Sequence, residues 1–287
     1  MTIAITGATG HLGRQVIQTL IEKKANEKIV AVVRDQEKAN NMLDESVESR
    51  EANYDNFDSL LAAFKGIDQL LFISSPSNDD MERVVQHATV VKAARDAGVS
   101  RIYYTSFANA DHSTIPLAKL HIATEAMIKV SGLQYTFVRN PLYTDVFINP
   151  SLNQAISDGK LVSNTGNGRL NTASREDLAK ATAALLMKES NENEVVELAA
   201  SETWSFQELA DTLSHVSGKE VTYQAVSQKE AFDYFTSTGL PEPVAQFTVA
   251  LYDSISEGDI QQTSNDLKEL IGKETTLSEA VKQAIQS

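Results

Sequence analysis

The start of the chain joins a short apolar strand to three evenly spaced glycines. The β-branched and apolar segment Thr2–Thr6 stops at Gly7, and Gly10 and Gly13 follow at three-residue spacing. Apolar residues then recur at helical intervals over residues 16–21, so the pattern predicts a buried strand, a glycine turn and a helix. This order is typical of a dinucleotide-binding unit, although a plain strand–turn–helix connection with spare glycines has the same outline.

Each glycine has its own physical task in such a unit. Gly7 permits the tight turn, Gly10 lets a pyrophosphate approach the backbone, and Gly13 lets the helix pack closely on the strand. The N–H groups of the first helical turn and the positive end of the helix dipole then hold the phosphates. The predicted cofactor-binding turn therefore consists of Gly7, Ala8, Thr9, Gly10, His11, Leu12 and Gly13.

The charge balance and the composition exclude several classes of protein. The 287 residues include 39 acidic and 25 basic side chains, and the net charge of −14 opposes binding to nucleic acid or to an anionic membrane. There is no cysteine for a disulfide, a thiolate metal site or a nucleophile. The five histidines form no close ligand cluster, so we predict no metal site. No apolar run reaches the roughly 18 residues of a membrane span, and we expect a cytoplasmic protein.

The second predicted strand, Lys28–Val33, ends at a cation. In a dinucleotide fold this strand end meets the adenosine ribose, where an acidic residue favours NAD and an arginine accommodates a 2′-phosphate. Arg34 stands there and offers planar, bidentate phosphate recognition, so we predict NADPH or NADP⁺ as the cofactor and NADH as the weaker ligand. Asp35 could neutralise Arg34 or bind the ribose hydroxyl, but it also fits the N-cap of the next helix. A solvated surface charge is the alternative for Arg34.

The remaining pattern alternates strands with helices through the first half of the chain. Apolar runs predict strands at residues 47–52, 69–73, 101–106 and 134–139, later at 194–199 and 221–224, and helices at 57–64, 80–97, 115–130 and 174–187. This alternation predicts an α/β fold with a Rossmann-type, doubly wound parallel sheet. Because ligands sit beyond the carboxyl ends of such strands, we expect the cofactor to contact Ser74, Ser75 and Pro76 and, after the next strand, Thr105 and Ser106.

The regular alternation of strands and helices ends after the sixth predicted strand. Asn140, Pro141, Leu142 and Tyr143 follow it, where the nicotinamide and the substrate are expected. Asn140 can bond a carboxamide or a backbone group, and Tyr143 is either a stacking face with one polar tip or a core aromatic at a lobe junction. We expect a Rossmann lobe of residues 1–140 plus about 175–200, and a smaller, mostly helical substrate lobe of about 141–174 plus 201–287.

Two further features of the second half concern packing. Ser174 precedes the helix at 174–187 and Asp177 follows it by three residues, which is a capping-box pattern. Phe147, Trp204 and Phe206 are candidate pocket walls, for which core packing is the favoured role.

Several stretches together resemble one known family. They are TGATGHLG, VAVVR, LLFISSP, HIATEAMI, FVRNPLYTD and SREDLAKA. With spacing that matches over essentially the whole chain, the sequence resembles the NmrA-like branch of the atypical short-chain dehydrogenases. The resemblance implies a Rossmann lobe, a smaller C-terminal substrate lobe and hydride transfer from NADPH. The small-molecule acceptors that it implies are quinones and cationic triarylmethane dyes.

The catalytic set of ordinary short-chain dehydrogenases is incomplete in this chain. That set consists of a serine, a tyrosine and a lysine, with the tyrosine and the lysine four residues apart on the helix after the fifth strand. In this chain Leu117 stands at the tyrosine position and His121 at the lysine position, while Thr105 or Ser106 stands in for the serine. The missing acid–base pair speaks against alcohol dehydrogenation and sugar epimerisation, but acceptors that take a hydride directly need mainly binding and orientation. His121 either orients the ribose, donates a proton or is a hydrogen-bonded core residue, and Tyr143 is the other candidate catalytic residue.

A rival function from another class stays open at this point. Some NmrA-like proteins bind NADP(H) as redox sensors and regulate a protein partner without turnover, and the missing pair suits a sensor equally well. Homodimer formation is also left open by the sequence.

Overall fold

The structure is a computed structural model that describes residues 1–24, 26–188 and 190–286. Its strands are β1 Thr2–Thr6, β2 Lys28–Val33, β3 Glu48–Glu51, β4 Gln69–Phe72, β5 Arg101–Phe107, β6 Gln134–Asn140, β7 Leu142–Tyr143, β8 Lys160–Ser163, β9 Arg169–Leu170, β10 Thr172–Ala173, β11 Glu194–Glu197, β12 Trp204–Ser205 and β13 Thr222–Ala225. Its helices are α1 His11–Glu22, α2 Gln36–Met42, α3 Phe57–Ala63, α4 Asp80–Asp96, α5 Pro116–Ser131, α6 Thr144–Phe147, α7 Leu152–Asp158, α8 Arg175–Met187, α9 Phe206–Ser217, α10 Gln228–Ser237, α11 Glu242–Ser256, α12 Asp266–Ile271 and α13 Leu277–Gln286. The strands and helices predicted from apolar runs are confirmed to within two residues at each end.

Seven parallel strands form the central sheet, in the order β11-β6-β5-β4-β1-β2-β3. β1 lies inside the sheet, where Ile5 pairs with Ala31 of β2 on one side and with Leu71 of β4 on the other. The strand order reverses at this point, because β2 and β3 continue in one direction and β4 to β6 in the other. The predicted doubly wound parallel sheet is confirmed, and its switch point lies at the carboxyl ends of β1 and β4.

Helices cover both faces of the sheet. Ile5 and Leu71 face the layer of α1 and α8, whereas Leu70 and Phe72 face the layer of α3, α4 and α5. Strands buried on both faces are apolar throughout, as parallel sheets require. Leu267 of α12 joins the α1–α8 side, so the chain returns to the sheet near its end. No helix within the described ranges is long and apolar enough to cross a membrane.

Three small two-stranded sheets extend the fold beyond β6. They pair β10 with β7, β12 with β9, and β13 with β8. A separate apolar core gathers beneath them from α7, α9 and α13 and includes Phe147, Trp204 and Phe206. Sequence patterning located β13 but missed the other five of these strands, because segments of two to four residues are too short to show an alternation.

Side-chain caps fix the starts of two helices that flank the site. Asp35 accepts a hydrogen bond from the Lys38 amide at 2.8 Å, so its predicted role as the N-cap of α2 is confirmed. Ser174 likewise accepts from the Asp177 amide at 3.0 Å at the start of α8. The predicted capping box is wrong in its second half, because the Asp177 carboxylate accepts from the Thr275 amide at 2.7 Å instead.

A buried ion cluster joins the ends of β5, β6 and β11. The Arg139 side chain is only 6% exposed, and its guanidinium donates to both oxygens of Glu125, at 2.9 and 2.8 Å, and to Glu197 at 3.0 Å. Asp111 adds a contact at 2.6 Å, and the Ser106 hydroxyl donates to Glu125 at 2.7 Å. Burial opposes the charge of Arg139, but these carboxylates raise its pKa above the usual value.

Removing one partner of this cluster should destabilise the fold. In the Glu125→Ala variant, Arg139 keeps Asp111 and Glu197, so we expect a loss of about 3 kcal/mol, the lower end of the range for breaking a buried ion pair. The free energy of unfolding from urea titrations measures it. The matched control is Glu176→Ala, which removes an exposed pair with Lys180 and should cost less than about 1 kcal/mol. Equal losses in the two variants would contradict the prediction.

Candidate cofactor and substrate site

A cleft of about 640 Å³ lies at the carboxyl ends of β1, β2 and β4. Its lining includes most of the residues that the sequence predicts for cofactor binding on this side of the sheet. They are Gly7, Thr9, Gly10, Arg34, Ser74, Ser75 and Pro76. A cleft therefore opens at the switch point of the sheet, as expected for an open α/β fold.

The glycine turn brings α1 very close to β1. Gly7 has a φ of +60°, and the Gly10 amide donates to the Gly7 carbonyl at 2.9 Å. A Cβ atom on Gly13 would lie 2.5 Å from the Gly7 oxygen and 3.0 Å from the Cα atom of Ala8, closer than real side chains approach. The close packing predicted for Gly13 is confirmed, and glycine is required there.

The first turn of α1 has free hydrogen-bond donors. Gly10 is the N-cap and offers no side chain, and the first turn contains no acidic residue. Among the described residues, no group accepts from the amides of His11, Leu12 or Gly13. The Leu12 side chain is buried in the core, so it fixes the helix while its backbone stays available. This helix end can therefore receive an anion.

Two cations stand at the end of β2. Arg34 is exposed on the wall of the cleft, and within the described residues it makes no hydrogen bond or ion pair. Within the described residues Asp35 forms no ion pair with it, and the Asp35 carboxylate instead accepts from the Lys38 amide as the N-cap of α2. Lys38, in the first turn of α2, lines the same cleft and likewise has no anionic partner in the described chain. Sequence reasoning missed Lys38, although the Asp35 cap could have indicated it by placing residue 38 at the third helical position.

The loop after β4 forms another wall of the cleft, and threonines hold its first amides. The Ile73 amide donates to the Thr6 hydroxyl oxygen at 3.0 Å, and the Ser74 amide donates to that of Thr105 at 3.0 Å. Thr105 therefore supports the loop from beneath. Ser106, the next residue of β5, lies on the opposite face and is bonded to Glu125. Neither hydroxyl lines the cleft.

A smaller cavity of about 130 Å³ lies at the ends of β5, β6 and β11, and Pro141 and Leu142 line it. The side chain of Asn140, which immediately precedes them, is 4% exposed. Neither its Nδ2 nor its Oδ1 atom has a hydrogen-bond partner in the described part of the chain. An unsatisfied buried amide is costly in a folded protein, so this group is a candidate ligand contact.

Tyr143 lies against a charged partner. The Arg175 guanidinium stacks 4.2 Å from the centre of its ring and forms an ion pair with Asp145. Burial raises the pKa of the Tyr143 hydroxyl, while the charge of Arg175 works in the opposite direction. The phenol therefore stays protonated near neutral pH, and its ring is held in place by the cation.

His121 lies apart from the cleft, beneath the sheet. It is 5% exposed, its Nδ1 atom shares a hydrogen bond of 2.7 Å with the Tyr104 hydroxyl, and its ring stacks on Phe107. Burial, with nearby positive charge, lowers the pKa of His121 to about 3. The ring is therefore neutral at pH 7, and none of the three described cavities includes it.

The tyrosine position of ordinary short-chain dehydrogenases is also occupied by a packing residue, because Leu117 packs against the second core. Trp204 lines a third cavity of about 290 Å³, where its indole N–H donates to Thr172 at 2.9 Å. In the described residues no group of three or more His, Asp or Glu could hold a metal ion.

Comparisons with known proteins agree with this geometry. Quinone oxidoreductase 2 of Escherichia coli is 38% identical over 280 residues, which are 97% of this chain and 97% of that protein. The crystal structure of the Citrobacter sp. triphenylmethane reductase complexed with NADP(H) is 48% identical, with a TM-score of 0.95 over 98% of this chain and 99% of that one. The structure of the NADPH-dependent quinone oxidoreductase of Escherichia coli complexed with NADPH has a TM-score of 0.90 and 38% identity, over 98% and 99% of the two chains.

The family itself is matched over nearly the full length. The model of the NmrA-like family covers residues 1–280, which include the glycine turn, the cleft and the ends of all seven strands of the central sheet. The resemblance found in the sequence is thereby confirmed, and the chain belongs to the NmrA-like family.

Proposed function

We propose that this chain is an NADPH-dependent oxidoreductase that reduces quinones or related conjugated and cationic acceptors, such as triarylmethane dyes. The observation that carries the proposal is the cleft at the switch point. In the described part of the chain, neither the amides at the start of α1 nor the two cations of the cleft, Arg34 after β2 and Lys38 in α2, have a partner. The relatives named above support the same cofactor and the same class of acceptor.

The residues of the cleft fit the charged half of this cofactor. The free amides of His11, Leu12 and Gly13 suit a pyrophosphate, and Ala8 and Thr9 complete the turn around it. A Cβ atom on Gly10 would already lie 3.1 Å from the Gly7 oxygen, so glycine keeps the approach to the turn open. Arg34 and Lys38 suit the 2′-phosphate of NADPH, a group that NADH lacks.

The groups after β6 fit the other half. Asn140 offers a buried carboxamide with no partner among the described residues, and a nicotinamide amide would satisfy it. Pro141 and Leu142 line the cavity that follows it, and we assign to the ring of Tyr143, which Arg175 holds, a flat contact next to them. We assign the acceptor to the lobe of residues about 141–174 plus 201–287, next to this wall.

The chemistry needs few groups from the protein. NADPH supplies the hydride when bound. The chain binds the cofactor, excludes water with apolar walls and orients the acceptor, and proximity alone is worth several orders of magnitude in rate. No neutral, buried group such as His121 is required to give up a proton, because quinone products can take one from water and cationic dyes need none. Cytoplasmic location stays a prediction, and dimer formation stays open.

Steady-state NADPH oxidation tests the proposal. A small panel of acceptors contains a benzoquinone, a naphthoquinone and a cationic triarylmethane dye, and we expect turnover with at least one quinone or dye. The control is Gly10→Val, whose side chain fills the approach to the turn and should abolish NADPH binding. Binding of NADPH without any turnover would instead indicate the redox sensor.

Cofactor choice depends on Arg34. A charge-assisted hydrogen bond contributes about 1.5–3 kcal/mol, so the wild type should bind NADPH about ten- to a hundredfold more tightly than NADH. Arg34→Ala should weaken the binding of NADPH and leave the affinity for NADH nearly unchanged. Lys38→Ala should act in the same direction. Dissociation constants from fluorescence titration measure both cofactors, and rising salt should reduce the preference.

The matched control for the lost charge is Lys92→Ala, an exposed lysine of α4 that is paired with Asp96. It should leave both dissociation constants unchanged. Equal affinity of the wild-type protein for NADPH and NADH would refute the assignment of Arg34.

Loss of the His121 imidazole should be tolerated by the chemistry. Because the ring is neutral and buried, His121→Asn should keep turnover with a quinone well above the level expected for a lost acid–base residue, whose removal costs roughly 100- to 10,000-fold. The measurement is kcat at saturating NADPH, alongside Tm as a check on folding. A folded variant with a 100-fold lower kcat would make His121 the proton donor.

A further inference from the structure

Ser75 is the residue of the cleft loop that α4 holds. It is 4% exposed and lines the cleft. Its amide donates to the Nε2 atom of His87 at 2.9 Å, and its hydroxyl donates to the side-chain oxygen of Gln86. The amides of Ile73 and Ser74 donate to Thr6 and Thr105. With the bond from the Ser75 amide to His87, three successive amides of the loop are therefore held by side chains.

The hydrogen bonds fix the tautomer of His87. A backbone N–H can only donate, so Nε2 carries the lone pair and the ring proton is on Nδ1. Nδ1 lies 2.8 Å from the Thr124 hydroxyl, which in turn donates to the Leu120 carbonyl at 3.0 Å. A continuous series of satisfied bonds therefore runs from α5, through α4, to the wall of the cleft.

The surroundings keep His87 neutral and stationary. The residue has no exposed surface, and its ring packs edge-on against Phe72 and Tyr104 with centroids 5.0 and 5.8 Å away. Burial, helped by the charge of Arg83, lowers the pKa of His87 to about 3. A proton on Nε2 would face the Ser75 N–H, so the neutral ring is the form that can hold the loop.

We propose that His87 is a positioning residue for NADPH. Its Nε2 atom fixes the Ser75 amide and thereby the wall formed by Ser74, Ser75 and Pro76, although His87 itself does not line the cleft. This proposal rests on the proposed function of the cleft.

Two substitutions of His87 distinguish the loss of its hydrogen-bond acceptor from the loss of its ring volume. His87→Leu leaves the buried Ser75 N–H without a partner, and we expect the Kd for NADPH to rise about tenfold while kcat at saturation changes little. His87→Gln restores an acceptor at the reach of Nε2 and should bring the Kd back to within about threefold of the wild type. The matched control is Val90→Ala, a fully buried truncation in the same helix, which should lower Tm but leave the Kd unchanged.

Hydrogen exchange of the Ser75 amide, followed by NMR without cofactor, supplies the second readout. Exchange should be slow in the wild type, in Val90→Ala and in His87→Gln, and at least about tenfold faster in His87→Leu. This readout involves no cofactor, so it reports the hydrogen bond between His87 and Ser75 whatever the cleft binds. Failure of the wild type to bind NADPH would overturn the proposed function and this proposal with it.

The two readouts must change together in every variant that folds. Fast exchange at Ser75 with wild-type affinity for NADPH would overturn the positioning role, and so would weak binding with slow exchange. If His87→Leu fails to fold, His87→Met takes its place, because a thioether is only a weak acceptor for the Ser75 N–H, and the same joint change in Kd and exchange is expected of it.

Discussion

The contact between the start of α1 and the Gly7 carbonyl is the constraint on which the site depends. Because a Cβ atom at Gly13 would lie 2.5 Å from the Gly7 oxygen, the helix axis sits closer to β1 than any other residue would permit. Val16 and Ile17 then bury the next turn against the sheet, which fixes the direction of the helix. Its free amides therefore open toward the carboxyl ends of β1 and β4. The absence of a side chain at Gly13 thus allows both the close packing of α1 on β1 and the binding of an anion at the start of α1.

An acidic protein that holds an anionic cofactor has to arrange its charges locally. The chain carries a net charge of −14, yet Arg34 and Lys38 have no anionic partner in the described residues. The nearby carboxylates are engaged elsewhere: Asp35 caps α2, and the side-chain amide of Gln86 donates to Asp55 at 2.9 Å. These hydrogen bonds hold the two carboxylates away from ion pairs with Arg34 and Lys38, although they do not cancel the negative charge. The two cationic groups therefore remain available for direct contact with a ligand, and the overall charge disfavours polyanions that lack the shape of the cleft.

The sequence predicted what depends on local pattern. The glycine turn, Arg34 and the positions of the central strands could be predicted because each depends on about a dozen neighbouring residues. Lys38 was missed, since its place in the cleft depends on the direction of α2, although the Asp35 cap places it in the first turn of that helix. The pairing of Thr105 with Ser74, and of Ser106 with Glu125, depends on which sheet face each residue occupies and on what packs there. His87 carried no signal at all, because its role arises from a loop twelve residues earlier.

The charge state of the buried groups that could transfer a proton limits the chemistry. Burial lowers the pKa of His121 and raises those of Tyr104 and Tyr143, so all three stay neutral and release protons poorly at pH 7. Such a site offers little general acid catalysis, whose efficiency is greatest when the pKa of the acid lies near the working pH. An acceptor must then bring its own electrophilicity. A cationic dye is neutralised by hydride at its central carbon, and a quinone yields a stabilised anion that water protonates. Simple ketones offer neither advantage, which is the physical reason that the incomplete catalytic set and the proposed acceptors belong together.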